Sequence, residues 1–148
     1  MTESLPAVTE LLPHTGRAIL IDELRAETAQ GVIAAARISR GHAFFSPQQR
    51  GVPSWVGIEL MAQAIALHAG LLARRGNGRP RVGYLLGTRR YAPSVASFPE
   101  GSELEIRVER SYLDDSGLGA YDCSIVSNGS ALASATLTVF QTEEEVRQ

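Results

Sequence analysis

The sequence predicts an α+β domain in which a curved antiparallel sheet of about six strands wraps around one long central helix. Three observations indicate this fold class. Residues 52–73 form the longest apolar segment of the 148-residue chain, two strand-like segments precede it, and four follow it. Because one helix must cover the apolar face of a whole sheet, the sheet must bend around that helix to bury it.

Two strand-like segments come before the helix, RAILIDELRAETAQ at 17–30 and GVIAAARIS at 31–39. Both alternate apolar and polar residues over part of their length, which is typical of a half-buried strand. The polar residues around Gln30 and Gly31 favour a turn between them. The pattern therefore predicts a hairpin at the start of the domain.

The central helix is predicted from about Ser54 to Arg74, within RGVPSWVGIELMAQAIALHAGLLARR at 50–75. Ser54 follows a proline and is the predicted N-cap, and the glycines and proline of GNGRP at 76–80 end the helix. A membrane span is an alternative, but it needs about 20 apolar residues with few charges. Glu59, Gln63 and His68 interrupt this segment, which favours a buried core helix.

Four further strands are predicted at 82–91, 103–113, 118–127 and 130–141. In ELEIRVER at 103–110, apolar and charged residues alternate, as expected for a sheet with one solvated face. SNGS at 127–130 is an Asn-Gly hairpin turn. The charged tail TEEEVRQ is expected to fray.

Composition narrows the function classes. The chain is expected to form a single domain over residues 1–148. Its 14 basic and 16 acidic residues give a net charge of −2, which argues against nucleic acid as the main partner. The single cysteine, Cys123, lies in a strand pattern and is predicted to be a buried, inert thiol in a reducing cytoplasm. The N-terminal sequence has no basic region followed by an apolar core, so no export signal is predicted. The exposed edges of a small sheet favour a dimer.

Glu59 is the main candidate for chemistry, because burying a carboxylate without a partner or purpose is costly. Gln63 lies one turn later on the same helix face and is expected to hydrogen-bond to it. The two side chains could simply satisfy each other in the core. Alternatively Glu59 is a working group beside the helix start, where the N–H groups of Trp55 and Val56 attract negative charge.

The three histidines are weaker candidates. His14 and His42 lie in predicted loops, where a histidine is more often solvent-facing or structural than catalytic. His68 comes nine residues after Glu59, about 180° around the helix, so it is predicted to face away. These histidines and Cys123 have no metal-ligand spacing, and no metal site is predicted.

LLPHTGRAILIDEL at 11–24, the FF pair at 44–45 and GVPSWVGIELMAQA at 51–64 resemble segments of the hotdog-fold 3-hydroxyacyl-[acyl-carrier-protein] dehydratases. The resemblance covers residues 11–67 and is nearest to the dehydratase-like subfamily of bacterial aryl polyene clusters. It implies a hotdog fold, a dimer with sites at its interface, and acyl thioesters on the phosphopantetheine arm of an acyl carrier protein. No further cofactor is implied.

The resemblance also implies site residues. Glu59 matches the carboxylate that protonates the departing hydroxyl group, Gln63 the glutamine one turn later, and Ser54 the glycine whose backbone N–H holds the thioester carbonyl. Position 45, where related dehydratases carry the base histidine, is Phe45 here. His14 matches a different family histidine, in the PH pair, and is the alternative base. The base could also come from another hotdog subunit.

Three functions are therefore compatible with the sequence. The first is dehydration of a 3-hydroxyacyl thioester to a trans-2-enoyl thioester, in aryl polyene or fatty-acid-like biosynthesis. The second is an acyl thioesterase with the same fold, and the third is a non-catalytic partner subunit of a heteromeric dehydratase. Six arginines are candidates for binding an acidic carrier protein, with a solvated surface as the alternative: Arg74, Arg75, Arg79, Arg81, Arg89 and Arg90.

Overall fold

The computed structural model describes residues 5–14, 16–76 and 81–143, with side chains excepted at 81–86 and 141–143. The predicted breakers at 77–80 and most of the charged tail lie outside the described residues. The first half of the chain contains a short helix α1 (Val8–Leu11), strands β1 (Glu23–Glu27), β2 (Gly31–Arg37) and β3 (Gly51–Pro53), and the long helix α2 (Gly57–Arg75). The second half contains β4 (Arg81–Pro93), β5 (Ser97–Pro99), β6 (Glu103–Leu113), β7 (Leu118–Ser127) and β8 (Ser130–Glu143).

The main sheet has six antiparallel strands in the order β1-β2-β6-β7-β8-β4, which confirms the predicted fold class. The turn at 127–130 is also confirmed, since Asn128 and Gly129 have φ values of 51° and 78°, as a type I′ turn requires. A second sheet pairs β3 with β5. This short pair was not predicted, because three-residue strands containing prolines show no alternation.

Helix α2 forms the centre of the core and packs against β2, β4, β6, β7 and β8. Its buried face presents Leu60, Met61, Ala64 and Leu67 to sheet residues that include Ile106, Ile125 and Leu137. Each large apolar side chain buried in this way contributes about 1.5–3 kcal/mol. Within the described residues, one segment, Ser54–Arg75, is long and apolar enough to cross a membrane, and it is this core helix.

The segment before β1 differs from the prediction. Residues 17–22 were predicted as the start of a strand, but Gly16–Ala18 form one turn of 3₁₀ helix and β1 begins at Glu23. Gly16 has a φ of 56°, which an extended strand does not allow. The Ala18 carbonyl and the Leu20 N–H both bond to the side chain of Gln63 on α2, whereas the Asp22 N–H already bonds to the Ala35 carbonyl of β2. The first part of this segment is therefore bound to the helix, and pairing with β2 begins at its end.

His68 forms a buried polar pair with Tyr121 on β7. The His68 Nδ1 lies 2.6 Å from the Tyr121 hydroxyl oxygen, and both side chains are buried. Burial, assisted by the nearby Arg110 guanidinium, lowers the pKa of His68 to about 4. As the helical spacing predicts, His68 lies on a different face from Glu59, whose carboxylate is half exposed.

We expect the His68–Tyr121 pair to make the stability of the fold dependent on pH. The unfolded chain binds a proton at His68 below about pH 6.5, whereas the folded chain does so only near pH 4. The free energy of unfolding should therefore fall as the pH is lowered from about 6.5 towards 4. Urea denaturation at pH 7 and pH 5 measures this slope. His68→Gln should reduce it, and an unchanged slope in that variant would show that other groups cause it.

Candidate active site

The structure brings His14 and Glu59 together across 45 residues of sequence. His14 Nε2 lies 3.7 Å from Glu59 Oε1, and the two side chains are 30% and 46% exposed. His14 occupies the loop between α1 and the 3₁₀ turn at Gly16–Ala18, while Glu59 lies in the first turn of α2. The pair therefore forms at the start of the central helix, on a side that is open in the single chain.

Gln63 holds this loop against the helix with three hydrogen bonds. Its Nε2 group donates to the Ala18 carbonyl at 2.7 Å and to Glu59 Oε1 at 3.1 Å. Its Oε1 accepts from the Leu20 N–H at 2.9 Å. The predicted hydrogen bond to Glu59 is thus present, and the same side chain positions the segment that follows His14.

The environment of Gln63 favours a positioning role. The residue is 1% exposed, and both of its N–H donors are used within the protein. A buried amide with these partners has a single orientation, because exchanging its oxygen and nitrogen would break all three bonds. Its predicted contact with the substrate stays a prediction.

The helix start differs from the predicted N-cap. Ser54 is the first residue of a 3₁₀ turn, Ser54–Val56, and no hydrogen bond from its side chain caps the helix within the described residues. Its backbone N–H donates to the Ala96 carbonyl at 3.0 Å. The reason is the β3–β5 pair, which places Ala96 beside the chain entering the helix. Binding of a thioester carbonyl by the Ser54 N–H stays a prediction. It would require this N–H to exchange the Ala96 carbonyl for the thioester carbonyl.

Tyr91 supports the same turn, and the sequence contained no signal for it. Its hydroxyl group donates to the Ser54 carbonyl, and burial raises the pKa of Tyr91 to about 12, so it remains a donor at neutral pH. A Cβ atom at Gly57 would lie 2.2 Å from the Tyr91 oxygen. Glycine at position 57 therefore allows β4 to approach the helix start.

Trp55 and Val56 diverge in environment although they are adjacent. The Val56 side chain is fully buried, whereas Trp55 is 60% exposed. Both lie in the turn that precedes α2, as predicted. Their role as N–H donors to a thioester oxygen stays a prediction.

His42 lies in a different cluster. Its Nδ1 accepts a hydrogen bond from the Phe44 N–H at 3.1 Å, and its ring is 6.3 Å from that of Phe44. Burial lowers the pKa of His42, which favours the neutral ring. Among the described residues, only His14 forms a histidine–carboxylate pair with Glu59.

The environment of Glu59 also differs from the expectation that it is buried. In the single chain its side chain is 46% exposed, because the loop carrying His14 covers only part of it. The low-polarity surroundings expected for an acid must therefore come from a substrate or another subunit.

Cys123, in contrast, is buried as predicted, and burial raises the pKa of its thiol to about 12.

The four described arginine side chains of the predicted docking set lie in two separate places. Arg74 pairs with Glu10 at 3.3 Å and Arg75 pairs with Glu27, both at the far end of α2. Arg89 and Arg90 are exposed on β4 just before Tyr91, near the helix start. Arg79 lies outside the described residues, as does the side chain of Arg81.

Comparison with known proteins identifies the family of the chain. The profile of the ApeP-like family, described as ApeP dehydratase, matches residues 6–148. The chain belongs to the ApeP-like dehydratase family. No curated protein sequence matches the chain significantly.

Solved structures confirm the hotdog fold expected from the resemblance. The dehydratase heterocomplex ApeI:P from Xenorhabdus doucetiae superposes with a TM-score of 0.86 and 26% identity, over 94% of this chain and 93% of that chain. A hypothetical thioesterase from Streptococcus pneumoniae TIGR4, solved with coenzyme A, has a TM-score of 0.64 and 15% identity, over 84% and 88% of the two chains. The second similarity shows the fold alone.

We expect Gln63→Met to destabilise this ApeP-like chain while keeping the volume of the side chain. The change leaves the Leu20 N–H and the Ala18 carbonyl without their partner, and each unsatisfied buried group costs about 1–3 kcal/mol. Urea denaturation should show a loss of at least about 2 kcal/mol. Gln49→Met, at an exposed glutamine, is the matched control and should change stability by less than about 0.5 kcal/mol. Equal effects of the two changes would contradict the role assigned to Gln63.

Proposed function

We propose that this chain takes part in the dehydration of a 3-hydroxyacyl thioester, carried on an acyl carrier protein, to a trans-2-enoyl thioester. The observation that carries the proposal is the His14–Glu59 pair, 3.7 Å apart at the start of the central helix, in a chain of a dehydratase family. An imidazole and a carboxyl group at this separation provide a base and an acid for one elimination.

The proposed roles follow from the bonds that change. His14 removes the proton at C2, the C2–C3 double bond forms, and the C3 hydroxyl group leaves as water with a proton from Glu59. The imidazole then holds one extra proton and Glu59 lacks one. Transfer of a proton between them, directly or through one water molecule, restores both groups for the next cycle.

Negative charge develops on the thioester oxygen when the C2 proton is removed. The helix start is the place to stabilise it, because the first N–H groups of a helix lack intrahelical acceptors and carry partial positive charge. We assign this role to the N–H groups of Trp55 and Val56, which the Ser54 N–H could join only by giving up its bond to the Ala96 carbonyl. Gln63 acts through Glu59, whose carboxylate it holds toward His14.

A second subunit is part of the proposal. Strands β1 and β4 are the edges of the six-stranded sheet, and the His14–Glu59 pair is open in the single chain. Pairing with another subunit would cover an edge and shield the carboxyl group from water. The ApeI:P heterocomplex of X. doucetiae supports a different hotdog subunit as the partner, and a homodimer or higher homo-oligomer is the alternative.

We place the reaction in the cytoplasm, in aryl polyene or fatty-acid-like biosynthesis. The carrier protein supplies the substrate on its phosphopantetheine arm, and no further cofactor is proposed. Carrier proteins of such systems are acidic, so an exposed basic surface near the site would favour encounter. Arg89 and Arg90 fit this role by position, since Tyr91 of the same strand contacts the helix start through Ser54.

Arg74 and Arg75 fit the docking role less well. They lie in the last turn of α2, at the opposite end of a helix whose 19 residues span roughly 30 Å. Both side chains are also engaged with carboxylates, Glu10 and Glu27. Arg74 and Arg75 therefore serve as a control for Arg89 and Arg90, since the two pairs carry the same charge at opposite ends of the helix.

The test of function is dehydration of a carrier-bound 3-hydroxyacyl substrate, followed by mass spectrometry as the loss of one water. The purified chain is assayed alone and with a second hotdog subunit encoded nearby. Glu59→Gln should lower turnover at least about 100-fold in the active form, because the amide keeps the volume but does not supply the proton of a carboxylic acid.

His14→Ala distinguishes the two sources of the base. If His14 is the base, the chain alone is active and loses activity in this variant. If a partner supplies the base, the chain alone is nearly inert and activity appears only with the partner. Unchanged turnover in a folded Glu59→Gln variant would remove Glu59 from the mechanism, and release of free acid instead of water would identify a thioesterase.

Charge reversal tests the carrier surface. Arg89→Glu combined with Arg90→Glu should raise KM for the carrier-bound substrate about fivefold or more at low salt, with less effect at high salt because exposed charges are screened. KM for the same acyl group on free pantetheine should change little. Arg74→Glu combined with Arg75→Glu is the control, and an equal rise in KM there would show that the effect is one of net charge rather than position.

A further inference from the structure

The Ser54 carbonyl group accepts two hydrogen bonds at the start of the central helix. One comes from the Gly57 N–H, which closes the 3₁₀ turn, and the other comes from the Tyr91 hydroxyl group of β4. A backbone carbonyl has two lone pairs, so both are occupied. No step of the proposed reaction uses Tyr91. This residue therefore adds a bond to a turn that is already closed, beside the groups assigned to the reaction.

The bond from Tyr91 acts on the same peptide group that supplies the Trp55 N–H. The Ser54 carbonyl and the Trp55 N–H belong to one planar trans amide, so the two groups point in opposite directions. While the carbonyl points toward Tyr91, the N–H points away from it. A hydrogen bond accepted by an amide oxygen draws electron density from the nitrogen and leaves the N–H more positive. A donor on the Ser54 carbonyl thus strengthens the Trp55 N–H as a donor.

Trp55 and Val56 supply the N–H groups that are available to a ligand in this turn. The Ser54 N–H donates to the Ala96 carbonyl at 3.0 Å. Within the part of the chain that the structure describes, the N–H groups of Trp55 and Val56 have no backbone acceptor outside the helix. Of these two, only the Trp55 N–H shares its amide with the carbonyl that Tyr91 holds. Tyr91 therefore acts on one of the two donors assigned to the thioester oxygen.

The surroundings of the Tyr91 hydroxyl group are apolar and close. A Cβ atom added at Gly57 would overlap the Tyr91 oxygen. It would also lie 3.1 Å from Ile125 Cδ1 and 3.2 Å from Phe98 Cζ, and both of these side chains are fully buried. Burial raises the pKa of Tyr91 to about 12, so the hydroxyl group is protonated at neutral pH. A hydrogen bond in such low-polarity surroundings is electrostatically stronger than one in water.

We propose that Tyr91 is a positioning residue for the thioester oxygen, which it stabilises through the peptide group between Ser54 and Trp55 rather than by contact. The inference rests on the proposed function, because it takes the ligand of the helix start to be an acyl thioester. When the C2 proton is removed, negative charge develops on the thioester oxygen. A polarised Trp55 N–H gains more from that charge than an unpolarised one, so Tyr91 lowers the barrier of the elimination.

The strength of the bond to the thioester can be measured without turnover. The ligand is S-hexanoyl pantetheine labelled with ¹³C at the thioester carbonyl, which has no 3-hydroxyl group to lose. It is bound to the purified full-length chain, alone and in complex with the second hotdog subunit, and isotope-edited infrared spectra are recorded. A hydrogen bond to a carbonyl lowers its stretching frequency. Tyr91→Phe should therefore shift the band of the bound ligand to higher wavenumber. Replacement of Tyr91 by 3-fluorotyrosine, a stronger donor of nearly the same shape, should shift the band to lower wavenumber.

Turnover gives a second readout. Removal of a whole oxyanion donor costs about 100- to 1000-fold in kcat, and one further hydrogen bond in a chain strengthens a donor by roughly 10–30%. Tyr91→Phe should therefore lower kcat about two- to tenfold and leave KM nearly unchanged. Tyr112→Phe removes an exposed hydroxyl bond to Asp114 and is the matched control. It should change neither kcat nor the infrared band.

Gly57→Ala tests the same bond from the side of the helix. The added methyl group overlaps the Tyr91 oxygen and displaces the hydroxyl group, so this variant should raise the carbonyl frequency and lower kcat as Tyr91→Phe does. In the Tyr91→Phe background there is no hydroxyl group to displace. The double variant should therefore lose about as much kcat as Tyr91→Phe alone, whereas independent effects would multiply. Circular dichroism checks that each variant is folded.

Any of four results would overturn the inference: no binding of the labelled thioester, an unchanged carbonyl band in Tyr91→Phe, no opposite shift with 3-fluorotyrosine, or losses that multiply in the double variant. If Gly57→Ala does not fold, the first three results decide. The dehydration assay is separate from the infrared measurement. Turnover with an unchanged band contradicts the role of Tyr91 alone. Band shifts without dehydration contradict the proposed function and leave the Trp55 N–H as a thioester donor that Tyr91 strengthens.

Discussion

The burial of α2 by the bent sheet is the constraint on which the rest of the structure depends. Strands β2, β4, β6, β7 and β8 all pack against this one helix, so most of its circumference is unavailable to solvent or ligand. The side that stays open begins with Trp55 and Glu59, at the helix start. The location of the candidate site is thus a consequence of how the core is packed.

Gln63 connects this core to the chemistry. It is one of the few polar side chains buried in the described residues, and its three bonds join α2 to the Ala18–Leu20 segment and to Glu59. His14 lies just before that segment, so the distance between its imidazole and the Glu59 carboxylate depends on the bonds that Gln63 makes. A buried polar group with all its bonds made adds rigidity at this point.

The two ends of α2 have different characters. At the far end, Arg74 and Arg75 are paired with Glu10 and Glu27. The positive charges of the two arginines are favoured there by the negative end of the helix dipole. At the helix start, the Ser54 carbonyl accepts from Tyr91, and Gly57 leaves room for that tyrosine. The charged groups at the far end are paired with one another, whereas at the start Glu59 is half exposed beside His14 and Trp55 is 60% exposed.

The sequence by itself determined the order of the six main strands around the apolar central helix, and it placed Glu59 and Gln63 on one face of that helix. These follow from local periodicity, because a 3.6-residue helical repeat and a two-residue strand repeat are properties of consecutive residues. The family resemblance also singled out His14. The tertiary structure alone decided which groups meet: His14 with Glu59, Tyr91 with Ser54, Ser54 N–H with Ala96, and Phe44 with Trp55. It also decided that Glu59 is half exposed and that Ala18 and Leu20 bind the helix through Gln63. Such contacts join residues far apart in the chain, and no local pattern encodes the distance between side chains that only the packed core brings together.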